Sequence, residues 1–267
     1  MPFRHRLQPD NAIKLNDRSP KGKDFHDNRG EAEEEFYELR EELIELQRRF
    51  YAEGRRKLVV VLQAMDAGGK DGTIRHVFRG VNPQGVRVWS FKAPTSEELR
   101  HDFLWRVHYR TPGAGMFGIF NRSHYEDVLV VRVEDLVPES VWRPRYEQIN
   151  QFEKMLHDNG TTIVKIFLHI SQKEQKERLQ ARLDDPAKNW KFSIEDLNKR
   201  KDWDHYTEAF EEMLNQCTTE WAPWHVIPAN QKWYRNLAIA RTLVETLRQL
   251  DPKFPPAEEG IANIRID

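Results

Sequence analysis

Two carboxylates stand inside a stretch that otherwise suits phosphate. Residues 59–78, VVVLQAMDAGGKDGTIRHVF, combine an apolar run, a glycine-rich turn, a Gly69–Lys70 pair and a segment of helical character. Small residues let backbone N–H groups converge on an anion, the start of a helix adds partial positive charge, and the lysine reaches the outer phosphates. Against the pattern G-x-x-x-x-G-K-[ST], Ala64 takes the place of the first glycine and Asp71 that of the final hydroxyl residue, while Asp66 lies inside the loop. Ala67, Gly68, Gly69, Lys70, Asp71, Gly72 and Thr73 are the candidate phosphate-binding residues.

A bare carboxylate beside phosphate is repelled: at ~4 Å and an effective dielectric of ~20, two like unit charges cost about 4 kcal/mol. Magnesium removes the conflict, because it takes one or two carboxylates together with phosphate oxygens and waters. Asp66 is therefore the expected metal anchor, direct or through water; orienting or deprotonating the acceptor is a second role open to it. Asp71 is expected to cap the following helix, ahead of holding Lys70 or touching the metal shell.

Two more clusters could meet phosphate. In GIFNRSHYED, residues 118–127, an apolar run places Asn121 and Arg122 near the carboxyl end of a strand, where open parallel sheets bind ligands. Arg122 offers a planar fork suited to phosphate. Glu126 and Asp127 follow one helical turn later, so a surface ion pair is the alternative. Arg178 and Arg182 are four residues apart and share a helix face, followed by Lys188 and Lys191. That pattern is open between a solvated face and a phosphate clamp.

The elements that must position these groups are legible as an alternation. Five short apolar runs, at 58–62, 86–91, 116–120, 163–170 and 225–227, are separated by helical segments at 73–79, 96–109, 141–157, 171–183 and 231–250. Continuous apolar strands between helices indicate a parallel sheet covered on both faces, an α/β fold with right-handed crossovers. An amphipathic helix spans 31–53 and ends near Gly54. Residues 1–30 are polar, with Pro9, Pro20, Gly22 and Gly30, and read as a surface arm ahead of a single domain over 31–267. The segment 184–216 interrupts the alternation: Pro186 breaks a helix, Ser193 resembles an N-cap with Asp196 three residues on, and two short helices form a lid or a structural hairpin.

The 267 residues carry 42 basic and 43 acidic side chains, a net charge of −1, which argues against a generic nucleic-acid coat protein. Cys217 is the single cysteine, so neither an intramolecular disulfide nor a cysteine-based zinc cluster is expected. The first ten residues lack the apolar core of a signal peptide, and no apolar run nears the ~20 residues of a membrane span. A cytoplasmic protein without membrane partners is the expectation.

Taken together, QAMDAGGKDGTI, FNRSHYEDVLVVRV, INQFEKML, IVKIFLHISQKEQKERLQARLDDPAKNWKFS and DLNKRKDWDHYTEAF resemble the polyphosphate kinase 2 family over most of the chain. The resemblance implies a three-layer α/β/α P-loop kinase fold similar to thymidylate kinase. It implies transfer of a terminal phosphoryl group between inorganic polyphosphate and adenine or guanine nucleotides, with Mg2+ (Mn2+ as an alternative) and a homo-oligomer, dimer or tetramer. By the same resemblance Asp66 organises the metal, Lys70 and the loop amides hold phosphate, and Arg122 contacts the nucleotide with Asn121 and Glu126. Arg178 and Arg182 contact polyphosphate, and Asp127 is a second metal candidate. Asn121 stands where many relatives carry aspartate; the NRSHYEDVL form is similar to the subgroup acting on both nucleoside mono- and diphosphates. The competing expectations are an ATP-dependent nucleoside monophosphate kinase and a non-catalytic polyanion-binding module. A GTPase is disfavoured, since no N-K-x-D pattern occurs.

Overall fold

A computed structural model describes residues 3–261 and 264–266. The apolar runs form five strands: β1 Lys57–Ala64, β2 Val86–Ser90, β3 Phe117–Asn121, β4 Thr161–His169 and β5 Trp224–Pro228. They make one parallel sheet in the order β2-β3-β1-β4-β5, with Val60 of β1 opposite Ile119 of β3 and Val164 of β4. Every β1 residue from Leu58 to Ala64 is buried, as a central strand covered on both faces requires. The chain leaves β1 for the β3 side and later returns on the β4 side. The loops after β1, β3 and β4 therefore face one another across a topological switch point.

The helices are α1 Arg29–Glu53, α2 Lys70–Val77, α3 Trp105–His108, α4 Val130–Val133, α5 Glu139–Trp142, α6 Arg145–Asp158, α7 Gln172–Leu183, α8 Ile194–Lys201, α9 Trp203–Gln216 and α10 Lys232–Leu250. Asn28 caps α1 by accepting from the N–H groups of Gly30 and Glu31, and Gly54 ends it with φ 65°. α1 lies along α10, joined by Arg241–Glu35 and Arg248–Glu42 pairs, and with α2 these form one layer; α6 and α9 belong to the other. Among the described residues no helix is long and apolar enough to cross a membrane.

Two expected helices are broken. Segment 96–109 contains a 3-10 turn, Glu98–Arg100, and the short α3, because the Asp102 carboxylate accepts the Leu104 N–H and turns the chain between them. Segment 141–157 divides at Pro144, which has no N–H to continue a helix. The arm does not lie wholly on the surface. Leu7, Ile13 and Leu15 are buried, and Arg6 bridges His225 antiparallel, covering the free edge of β5.

The insertion has two unlike halves. α9 buries Tyr206, Ala209, Phe210, Met213 and Leu214 in the core, whereas α8 buries nothing and leaves Ile194 76% exposed. α8 starts at the capping box of Ser193 and Asp196.

Candidate active site

The loop after β1 turns through left-handed backbone at Ala67 (φ 59°) and Gly69 (φ 106°), and Arg122, just beyond β3, is left-handed as well (φ 63°). Non-glycine residues pay about 1 kcal/mol or more for that conformation, and they cluster where function needs it. Glycine suits position 69 because its φ of 106° strains any L side chain, and a Cβ there would also crowd the Arg235 guanidinium.

Arg122 joins the two loops. Its Nη2 lies 2.5 Å from Asp66 Oδ1 and its Nη1 2.8 Å from Glu126 Oε2. Burial pushes the Asp66 carboxyl up, but the Arg122 and Lys70 charges outweigh it and hold the group below the usual carboxylate range. The Glu126 charge, with Asp66, keeps Arg122 more firmly protonated than an ordinary arginine against the opposing effect of burial. Lys70 is buried and donates to the Ala64 carbonyl at 3.1 Å. Burial and the nearby Arg122 bring it down to about 8, partly offset by Asp66.

Asp71 does not cap α2. Gly69 occupies the N-cap position, and Asp71, one residue inside the helix, turns outward to accept from Asn121 Nδ2 at 2.8 Å. This link ties the phosphate loop to the end of β3. Gly68, Gly72 and Ala67 line the cleft, while Thr73 is buried behind it and its hydroxyl has no hydrogen-bond partner among the described residues. Glu126 reaches the site, but Asp127 does not. Residues 124–128 form a 3-10 helix, whose consecutive side chains diverge by roughly 120°, so Glu126 and Asp127 cannot both face Arg122. Asp127 instead meets Arg145 at 3.3 Å and Arg106 at 3.9 Å, and burial raises its carboxyl to about 6.

Arg178 and Arg182 share a face and both line the cleft, with their donors directed at protein. Arg178 donates to the carbonyls of Ala67 (3.1 Å), Gly68 (2.9 Å), Ala229 and Asn230, and pairs with Glu174. It clasps the phosphate loop from below. Arg182 donates to the Lys191 carbonyl and Asp196, and so ties α7 to the segment carrying α8.

The cleft measures 1340 Å³ and is lined by thirteen Lys/Arg side chains against four Asp/Glu. It runs from Arg122 and Lys70 past Lys188 and Lys191, and along α2 by Arg75 and Arg79. Sequence reasoning missed the contribution of α10, Lys232 and Arg235. Arg235 is 1% exposed, donates to Gly69 O at 3.3 Å and to Asn236 Oδ1, and is brought down to about 9 by burial and Arg178. The available signal was an arginine on the apolar face of α10, in helical register with Ala238, Ile239 and Thr242. Also missed was a buried anchor beneath the Arg122 loop. Lys165 donates to Glu153, Tyr125 and the Cys217 carbonyl, and His124 contacts Glu153 at 3.1 Å.

Among the described residues no three His, Cys, Asp or Glu side chains gather to hold a metal. Asp66 has one oxygen bound by Arg122, and among the described residues nothing donates to the other. That donor set fits a magnesium-type ion delivered with phosphates, which needs one protein carboxylate and takes its other ligands from substrate and water.

A family model described as Polyphosphate kinase 2 (PPK2) matches residues 26–255. The chain is 54% identical over 265 residues to the AMP/ADP-polyphosphate phosphotransferase of Meiothermus ruber, covering 99% of each chain. It is 45% identical over 241 residues to the ADP-polyphosphate phosphotransferase of Rhodopseudomonas palustris, covering 84% of this chain and 83% of that one. Among solved structures, polyphosphate kinase 2 from Arthrobacter aurescens superposes with a TM-score of 0.93 at 42% identity, covering 97% of this chain and 93% of that one.

Proposed function

As a member of the polyphosphate kinase 2 family the chain is a polyphosphate–nucleotide phosphotransferase, and we propose that it converts both AMP to ADP and ADP to ATP by in-line transfer. The observation that supports the assignment of roles is the Asp66–Arg122–Glu126 array beside Lys70, at one end of a cleft rich in cations.

An oxygen of the nucleotide's terminal phosphate attacks the terminal phosphorus of polyphosphate. A new P–O bond forms, the old anhydride bond breaks, and the shortened chain leaves with its electron pair. The attacking oxygen is already ionised, so the step needs alignment and charge neutralisation more than a strong base. Lys70 and the loop amides hold the transferred group, Arg122 turns toward the nucleotide phosphates, and Asn121 orders the acceptor side through Asp71. Lys188, Lys191 and Arg182 place the donor, and Arg178 keeps the loop carbonyls out of its path. Asp66 would hold Mg2+, which would supply further neutralisation of phosphate charge. The segment 184–201 is the moving part of the lid, because it lacks buried anchors while α9 has them. Guanine nucleotides as further acceptors, a cytoplasmic location and a homo-oligomer belong to the same reading.

The test supplies Mg2+ and AMP, or in a parallel arm ADP, with either polyphosphate or a different nucleoside triphosphate as sole donor, for wild type and Asp66→Asn. ATP formed from polyphosphate, with turnover down about 100-fold or more in a folded Asp66→Asn protein, is the expected result. With AMP as acceptor, transfer from the triphosphate alone would make the protein a nucleoside monophosphate kinase. Unchanged turnover in Asp66→Asn would remove the metal-anchor role.

A further inference from the structure

We propose that Arg235 is a buried counter-charge for the polyphosphate donor, left without a carboxylate so that the anion itself completes it; this rests on the polyphosphate reading above. Four Lys or Arg residues are buried among the described residues: Lys70, Arg106, Lys165 and Arg235. Arg106 has Glu98 and Asp127, and Lys165 has Glu153. Lys70 and Arg235 form no ion pair among the described residues, and both sit at the phosphate loop. Removing a cation from water without a partner is costly, which makes this distribution informative.

The guanidinium is also incompletely hydrogen-bonded. Of its five N–H groups, one goes to Gly69 O and two to Asn236 Oδ1, which leaves two. The guanidinium is almost fully covered, and at two positions what covers it is glycine. A Cβ at Gly69 would crowd Nη1, and one at Gly72 would be in ordinary van der Waals contact with Nη2 at 3.6 Å. Arg235 lines the floor of the cleft and lies on the α7 side of the loop, beside the Arg178 guanidinium. That side carries Lys188 and Arg182, while Lys191 reaches across to within 3.9 Å of Asp71; the nucleotide side carries Asn121 and Arg122. Two guanidinium groups flanking one glycine repel until a polyanion arrives. The charge therefore weakens the empty protein and strengthens the loaded one.

The experiment compares wild type with Arg235→Met, which removes charge and donors, and Arg235→Gln, which removes charge and keeps an N–H donor. Melting temperature is measured with and without tripolyphosphate, and KM is measured for polyphosphate and for AMP. Both variants are expected to melt at or above the wild-type temperature without ligand and to lose most of the tripolyphosphate-induced rise. KM for polyphosphate is expected to increase about tenfold or more, the loss of one charge-assisted hydrogen bond, with KM for AMP unchanged. A polyphosphate KM within about twofold of wild type in Arg235→Gln overturns the proposal, as does an equal rise in KM for AMP. A ligand-free melting temperature lowered by more than the tripolyphosphate shift makes Arg235 a structural tie and overturns it too. Failure of the parent reading is separate: it would appear as no polyphosphate turnover in the wild type.

Discussion

Lys70 carries its charge at a cost that has a definite pH signature. It titrates at about 8 in the folded chain because of burial first and Arg122 second, against 10.5 when unfolded. Between those values the unfolded chain binds more protons, so this group's contribution to stability improves as pH rises. Ligand-free Lys70→Met is therefore expected to be more stable than wild type at pH 7. The advantage should shrink as pH moves from about 8 to 10.5, read from urea melts at a series of pH values. A Lys70→Met protein less stable than wild type at pH 7 would show that Lys70 contributes more through contacts than it costs through burial. The loop residues at 66–72 were legible because their neighbours in space are neighbours in sequence. Arg235 was not, since the glycine it sits under lies 166 residues away along the chain.

The insertion after α7 is one sequence segment with two physical roles, and burial separates them. Phe210 of α9 is 3% exposed against the core, while Ile194 of α8 is 76% exposed. Phe210→Ala is expected to cost about 3–5 kcal/mol of stability. Ile194→Ala should leave stability within about 0.5 kcal/mol, a surface change. Chemical denaturation of both variants checks the pair; a large loss at Ile194 would mean that the α8 side is packed in solution. The sequence marked the segment through Pro186 and the Ser193 cap but read both helices as one candidate lid. The apolar stripe of α9 fits an amphipathic lid and a core helix equally, and only the neighbouring β4 and α6 decide between them.

At the scale of the whole molecule, charge is distributed rather than absent. The chain has a net charge of −1, yet its cleft carries thirteen basic against four acidic side chains. Focused fields of this kind raise the local concentration of a polyanion and fade as salt shortens the screening length from about 10 Å at 0.1 M. Raising NaCl from about 50 to about 300 mM is thus expected to increase KM for long-chain polyphosphate by a larger factor than KM for AMP, which carries fewer charges. Equal factors in steady-state assays would mean that the donor senses only the few groups around Lys70.

Local pattern was enough for the order of strands and helices, the parallel α/β class, the phosphate loop with its internal acid and the arginine after β3. Each of these depends on residues within a few turns of one another. Tertiary structure decided which groups meet. Crossing connections set Asn121 on Asp71, bent Arg178 under the loop carbonyls and slid Arg235 beneath Gly69. Periodicity reports which face of an element is buried. What that face is buried against depends on the folding of distant segments onto it.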